Sequence, residues 1–106
     1  MFDLIIRGGA VYDGTGRPAR WADVAVSGGK IAAVEPLPAA RAARVIDARG
    51  KWVTPGFIDI HRHADAAAFR PGFGELELRQ GLTTIVNGNC GLSCAPVGPE
   101  NLPAIT

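Results

Sequence analysis

Apolar residues in the first half of this chain occur in short runs that alternate with polar residues, a pattern typical of β-strands. These runs lie at residues 2–7, 10–12, 22–27 and 30–35. Gly8 and Gly9 separate the first two runs, and we expect them to break the strand. Gly28 and Gly29 join the last two runs. Because both glycines can adopt positive φ, the sequence predicts a β-hairpin here.

Two further β-prone runs, residues 44–48 and 51–54, flank Arg49 and Gly50, and this arrangement predicts one more turn. Residues 36–43 are predicted to be a loop or a weak helix. Residues 1–54 are therefore expected to form a small β-sandwich segment that is made of hairpins.

The pattern changes at Pro55 and Gly56. Residues 57–60 are apolar at nearly every position, as is usual for a strand buried on both faces of a parallel sheet. Residues 74–80 favour a helix that ends at Gly81, and residues 82–86 form a second strand of the buried type. Strand, helix and strand in this order predict a βαβ unit with a right-handed crossover, and hence an α/β fold.

The two histidines of the chain, His61 and His63, follow directly after the first of these strands. In an extended backbone, residues two apart project to the same side. Both imidazoles could therefore offer a nitrogen to one metal ion, at about 2.1 Å for zinc. A surface or capping role is the alternative for such a pair, and the preceding apolar segment P-G-F-I-D-I favours metal binding.

Cys90 follows the second strand of the same unit. The carboxyl ends of neighbouring parallel strands meet at one edge of a barrel sheet, and zinc accepts mixed histidine and cysteine ligands. Cys90 is therefore predicted to share the metal site, although without the histidines a buried, inert cysteine would be expected. Gly88 and Gly91 indicate a tight turn around it. Cys94 fits neither a CxxC pair nor a zinc ribbon, and a structural role is expected.

Three charged residues around the histidines each allow two interpretations. Asp59 could orient an imidazole, or its carboxylate could bind backbone donors. Asp65 could contact a metal or a substrate, which would give it a catalytic role, but the loop position favours a capping aspartate. Arg62 should point away from the histidines, which favours packing or a salt bridge over binding of an acidic substrate.

Composition excludes several classes of function. The 106 residues contain 11 basic and 10 acidic side chains, so nothing indicates binding to nucleic acid or to an anionic membrane. No apolar run approaches the roughly 18 residues of a spanning helix, and the amino terminus does not resemble a signal peptide. We therefore expect a cytoplasmic protein with reduced cysteines.

Three segments carry a resemblance to a known family: DLIIRGGAVYDGTG, VIDARGKWVTPGFIDIHRHAD and QGLTTIVNGNCGLSCAP. Together they span nearly the whole chain, which resembles the metal-dependent amidohydrolase superfamily. P-G-F-I-D-x-H-x-H is a mark of the superfamily. G-N-C-G points to its N-acyl-D-amino-acid deacylase (D-aminoacylase) branch, in which a cysteine replaces the modified lysine of many relatives.

The resemblance implies a (β/α)8 TIM-type barrel with a small β-sandwich, in which residues 55–106 supply the first two barrel strands. It implies that His61, His63 and Cys90 are ligands of one or two zinc ions. It further implies that zinc activates a water molecule that attacks the amide of an N-acyl-D-amino acid, a small-molecule substrate. The family's later histidine ligands and its aspartate base have no counterpart here, and Arg62 replaces a smaller residue. The rest of the barrel, or a complementing chain, is thus expected to be required.

Two other functions stay open at this point. One is a truncated metal-binding fragment without activity. The other is a cyclic amidase similar to dihydroorotase or dihydropyrimidinase, which Cys90 disfavours because those relatives lack the G-N-C-G segment.

Overall fold

The computed structural model describes residues 1–93, 95, 96 and 98–100. The chain divides into two compact units, Met1–Pro55 and Gly56–Thr106, and each is considered by itself. The strands are β1 (Phe2–Val11), β2 (Arg20–Ser27), β3 (Lys30–Glu35), β4 (Ala42–Asp47), β5 (Trp52–Val53), β6 (Phe57–Asp59) and β7 (Leu82–Ile85). The helical elements are α1 (Glu75–Arg79) and two short 3-10 helices, Ala66–Phe69 and Asn89–Gly91.

The first unit contains a mixed sheet in the order β3-β2-β1-β4, with β5 also paired to β1. Strands β2 and β3 are antiparallel, and Ser27 pairs with Lys30 next to the turn. Gly28 and Gly29 adopt φ values of 57° and 73°. The hairpin predicted from the two glycines is therefore confirmed.

Gly8 and Gly9 do not end the first strand, so that prediction was wrong. Strand β1 continues through both glycines, and its pairing with β2 shifts register between Ile6 and Gly9. Gly8 has a φ of 71°, and its N–H donates to the carboxylate of Asp23 at 2.7 Å. Glycine adopts this positive φ without steric cost, so the strand forms a bulge and then continues its hydrogen bonding with β2. Most other residues would favour a break at this point.

The turn predicted at Arg49 and Gly50 does not join β4 and β5 into a hairpin. Both pair in parallel with the same edge of β1, β4 near its start and β5 near its end. The turn itself is present, since the N–H of Lys51 donates to the carbonyl of Ala48 at 2.9 Å. Because β1 is ten residues long, it offers enough edge for both short strands in succession. Of residues 36–43, predicted to be a loop or a weak helix, residues 36–41 form a loop and the last two belong to β4.

The core of the first unit lies along β1 and β2. Ile5 and Ala25 have no exposed surface, and Val11, Ala22 and Val24 are nearly buried. Burial of such side chains supplies the main favourable free energy of folding for the sheet. The sheet is thus organised around its two central strands.

The second unit contains the predicted strand, helix and strand. Strands β6 and β7 are parallel, and Asp59 pairs with Ile85. Helix α1 lies between them in sequence and ends before Gly81, which has a φ of 82°. The hand of the crossover stays a prediction.

The apolar strand residues of this unit are not buried, contrary to expectation. Phe57 is 58% exposed and Ile58 is 61% exposed. Strands of a parallel sheet become buried when helices cover both faces, and among the described residues no element covers both faces of this two-stranded sheet. No described helix has the length and apolar character needed to cross a membrane.

Candidate metal centre

The two histidines extend beyond the carboxyl end of β6. Hydrogen bonding between the two segments continues past the ends of β6 and β7. The N–H of Val86 donates to the carbonyl of Asp59 at 2.8 Å, and the N–H of Arg62 donates to the carbonyl of Val86 at 3.1 Å. The rings of His61 and His63 lie 5.3 Å apart between centroids, at an angle of 80°. Both side chains are exposed. The two rings lie close together, which is compatible with the prediction that both project to the same side.

Cys90 lies in the 3-10 helix that follows β7, in a left-handed backbone conformation. Its φ is 58° and its ψ is 22°, and it is the one non-glycine residue with positive φ in the described part of the chain. Gly88 and Gly91, with φ values of 80° and 73°, flank it. A left-handed conformation costs about 1–2 kcal/mol for a residue with a Cβ atom. Such cost concentrates at functional sites.

The three predicted ligand residues converge. One ligand atom from each of His61, His63 and Cys90 lies within 4.8 Å of the others, and Sγ of Cys90 is 3.4 Å from Nε2 of His61. Zinc bonds of about 2.0–2.3 Å in a tetrahedron place ligand atoms roughly 3.5 Å apart. Two imidazole nitrogens and one thiolate form a donor set that zinc accepts, so the cluster fits such an ion.

Two of the charged neighbours of the histidines, Asp59 and Arg62, make the contacts of their structural roles. Asp59 accepts a hydrogen bond from the backbone N–H of His61 at 3.1 Å and contacts Arg62 at 3.5 Å, so its described bonds do not include an imidazole. Arg62 forms a salt bridge with Glu77 of α1 at 2.6 Å. The predicted salt bridge of Arg62 is thus present.

Asp65 precedes the 3-10 helix Ala66–Phe69 at the capping position, but its side chain makes no capping hydrogen bond. It lines an open depression next to His63, together with Leu92 and Ser93. Asp65 is not among the three residues whose donor atoms converge. Cys94 lies outside the described residues.

Two asparagines at this site were missed by the sequence analysis. Oδ1 of Asn87 accepts a hydrogen bond from the N–H of Ala64 at 3.2 Å. Nδ2 of Asn89 donates to the carbonyls of Val86 at 2.9 Å and of Arg62 at 3.4 Å. The signal in the sequence was the segment N-G-N, directly between an apolar strand and Cys90.

Known proteins are similar to this chain in sequence and in the arrangement of elements. The chain is 52% identical over 95 residues to an N-acyl-D-glutamate deacylase of Alcaligenes xylosoxydans xylosoxydans, covering 89% of the chain and 19% of the relative. A crystal structure of the N-acyl-D-glutamate deacylase of Bordetella bronchiseptica, complexed with zinc and a phosphonate mimic of the tetrahedral intermediate, matches with a TM-score of 0.86. Its identity is 44%, over 99% of this chain and 23% of that one.

A solved D-aminoacylase described with a binuclear metal centre matches with a TM-score of 0.84 and 46% identity, over 100% of this chain and 23% of that chain. The chain spans about a fifth of the length of the curated relatives it matches. These matches confirm the resemblance to the deacylase branch. The sequence model of the Amidohydrolase family matches residues 44–101. Since this match covers more than half of the chain, the chain belongs to the amidohydrolase family.

Proposed function

We propose that this chain is the amino-terminal part of a zinc-dependent hydrolase that removes the acyl group from N-acyl-D-amino acids. In this proposal His61, His63 and Cys90 bind the metal, as one or two zinc ions. The observation that carries it is the convergence of their three ligand atoms within 4.8 Å. The similarity to deacylases at 44–52% identity supports the choice of substrate class.

The chemistry of the residues follows from the donor set. When bound, zinc supplies a Lewis acid that activates water and polarises the carbonyl of the amide. His61 and His63 bind as neutral imidazoles, and Cys90 binds as a thiolate, so binding releases protons. In the net reaction water adds across the C–N bond, which yields a carboxylate and the free D-amino acid.

The chain supplies only part of the proposed active site. The donor atoms are exposed, so they can meet groups from further barrel strands or from a complementing chain. We propose that those groups include the remaining ligands and the catalytic base. Residues 1–54 then form part of a β-sandwich, and residues 55–106 form the first two strands of a (β/α)8 barrel. A cytoplasmic location stays a prediction from the amino-terminal sequence.

The test uses the product of the complete reading frame that encodes this chain. We expect it to hydrolyse N-acetyl-D-amino acids and not their L forms, and to contain zinc. His61→Ala and Cys90→Ala should each lower the zinc content and abolish hydrolysis. Cys94→Ala is the matched control, because it removes a thiol four residues away from Cys90, and it should leave the zinc content unchanged.

Each outcome has one consequence. Unchanged zinc content in both His61→Ala and Cys90→Ala would overturn the assignment of the ligands. Hydrolysis of cyclic amides, without activity on either N-acetyl enantiomer, would establish the cyclic amidase instead. Zinc binding without any hydrolysis would overturn the proposed activity and leave a metal-binding protein.

A further inference from the structure

Two asparagine side chains lie between the loop that carries the histidines and the loop that carries Cys90. Asn89 precedes Cys90 directly, and its Nδ2 reaches the carbonyl of Arg62, the residue between the two histidines. Asn87 accepts the N–H of Ala64, the residue that follows His63. Side-chain amides therefore connect the two loops at points next to the candidate ligands.

The two amides act in opposite senses. Nδ2 of Asn89 faces two carbonyl oxygens, of Val86 at 2.9 Å and of Arg62 at 3.4 Å. Carbonyls only accept, so this position requires a donor. Oδ1 of Asn87 faces a backbone N–H at 3.2 Å, so this position requires an acceptor. Both side chains are half-buried.

Arg62 makes further contacts of the histidine loop, through its N–H to the carbonyl of Val86 and its ion pairs with Asp59 and Glu77, and none of them involves Cys90. His61, His63 and Cys90 are all exposed, and Ala64 is the one buried apolar residue of the second unit among those described. The left-handed conformation of Cys90 has a free-energy cost that its surroundings must offset. Hydrogen bonds from half-buried amides to backbone groups can do so.

We propose that Asn89, assisted by Asn87, is a positioning residue that holds Cys90 at the correct distance from His61 and His63 to bind a metal. The inference rests on the proposed function, because it assumes that these three residues are ligands. Groups that orient metal ligands typically change metal affinity by about 10–100-fold when they are replaced. The same range is expected for Asn89.

The experiment measures cobalt binding to the product of the complete reading frame, after removal of its metal. Co²⁺ reports a cysteine ligand through a thiolate-to-cobalt absorption band. Asn89→Asp replaces the donor by an anionic acceptor that faces two carbonyls, so we expect cobalt affinity to fall by about 10–100-fold. At saturating cobalt the band should also shift or weaken, because the thiolate is displaced.

Two variants with the same chemical change control for charge. Asn87→Asp keeps an acceptor for the N–H of Ala64, so it should bind cobalt more tightly than Asn87→Ala does. Gln80→Glu removes an amide donor from the carbonyl of Leu76 on the exposed face of α1, and it should leave the affinity and the band unchanged. If Asn89→Asp does not fold, Asn89→Ala removes the same donor without adding charge.

Equal affinity and an unshifted band in Gln80→Glu and in the Asn89 variants would overturn the positioning role. Loss of affinity in the folded Asn89 variants, with a displaced band, supports it. A thiolate band that is absent from the unsubstituted protein would instead overturn the proposed metal site. The two failures are therefore distinguishable.

Discussion

Sγ of Cys90 lies 3.4 Å from Nε2 of His61, although 29 residues separate them in the sequence. The parallel pairing of Asp59 with Ile85 sets the register of the two strands. His61 comes two residues after Asp59, whereas Cys90 comes five residues after Ile85. The longer path returns to the histidine because the chain turns tightly from Gly88 to Gly91, with a left-handed residue at Cys90 itself. The proximity thus depends on a strained turn as well as on the sheet.

The left-handed conformation predicts an unusual order of stability for variants of Cys90. Cys90→Gly and Cys90→Ala both remove the thiol, but only alanine retains the Cβ atom that disfavours a φ of 58°. We expect Cys90→Gly to have a free energy of unfolding about 0.5–1 kcal/mol higher than Cys90→Ala in metal-free protein. Urea denaturation of both variants measures the difference.

The control for this order is Arg79 at the end of α1, where the backbone is helical. There glycine should be less stable than alanine, by at most the roughly 1 kcal/mol of a helix interior, because Arg79 is the last helical residue. If glycine were also the weaker residue at position 90, Cys90 would not hold a left-handed conformation in solution.

Two salt bridges of nearly equal length should differ in strength because they differ in burial. Arg62 and Glu77 are 2.6 Å apart, with side chains 37% and 14% exposed. Arg79 and Glu75 are 2.7 Å apart, with side chains 73% and 63% exposed. Double-mutant cycles with glutamine should give a coupling of about 1–2 kcal/mol for the first pair. The second pair should give about 0.3–0.5 kcal/mol.

The second cycle is the matched control, since both pairs use α1 and both join an arginine to a glutamate. Equal coupling energies would mean that solvent reaches Glu77 as freely as it reaches Glu75. The ion pair between Arg62 and Glu77 would then hold the loop that carries the histidines no more strongly than an exposed ion pair does.

The strands and the candidate ligands could be predicted from the sequence because both depend on local patterns. The glycine pair at positions 28 and 29 determines a hairpin by its allowed φ values, and histidines two apart at a strand end converge on geometric grounds. The parallel pairing of β4 and β5 with β1 could not be predicted. Parallel partners are joined by contacts that are distant in sequence, and the turn between β4 and β5 does not indicate which strand they pair with.

The asparagine contacts escaped prediction for a related reason. Asn87 and Asn89 resemble ordinary turn residues, since asparagine is favoured in turns whatever its partners are. Their role appears only when the facing carbonyl of Arg62 and the N–H of Ala64 are in place. Exposure of Phe57 and Ile58 was also not predictable, because a buried-type strand pattern describes the sheet that the strand prefers. It does not describe which elements cover that sheet.

Asp47 should titrate at an unusually low pH. The Arg49 guanidinium, and then the Arg49 backbone N–H, hydrogen-bond its carboxylate and lower the pKa of Asp47 from 3.8 to about 2. A carboxyl group whose pKa is lower in the folded state stabilises the fold above its unfolded pKa. This contribution should therefore be complete above about pH 4 and be lost as the pH falls toward 2. Carboxyl NMR chemical shifts across this range measure the pKa.

Arg49→Ala should raise the pKa of Asp47 only part of the way to 3.8, because the backbone N–H at position 49 still donates to Oδ1 at 3.0 Å in the unsubstituted fold. Asp13 is the control, since hydrogen bonds from Thr15 are what lower its pKa. Its titration should not respond to Arg49→Ala. A midpoint near 3.8 for Asp47 in the unsubstituted protein would contradict the ion pair.

Gly56, in the P-G-F-I-D-I segment, should not tolerate a side chain. A Cβ atom at this position would overlap the Oγ1 and Cγ2 atoms of Thr83 and lie 2.6 Å from its Cβ. Rotation of the Thr83 side chain cannot relieve the last contact. The backbones of the two segments would therefore have to separate near the start of β6 and β7. Overpacking of this kind costs about 1–3 kcal/mol, and Gly56→Ala should lower the free energy of unfolding by that amount.

The control is the same substitution in a protein that already carries Thr83→Gly, which removes the opposing Cβ. In that background Gly56→Ala should lower the free energy of unfolding much less than it does in the unsubstituted protein. Additive effects in urea denaturation would show that Gly56 and Thr83 are not in contact in the folded protein.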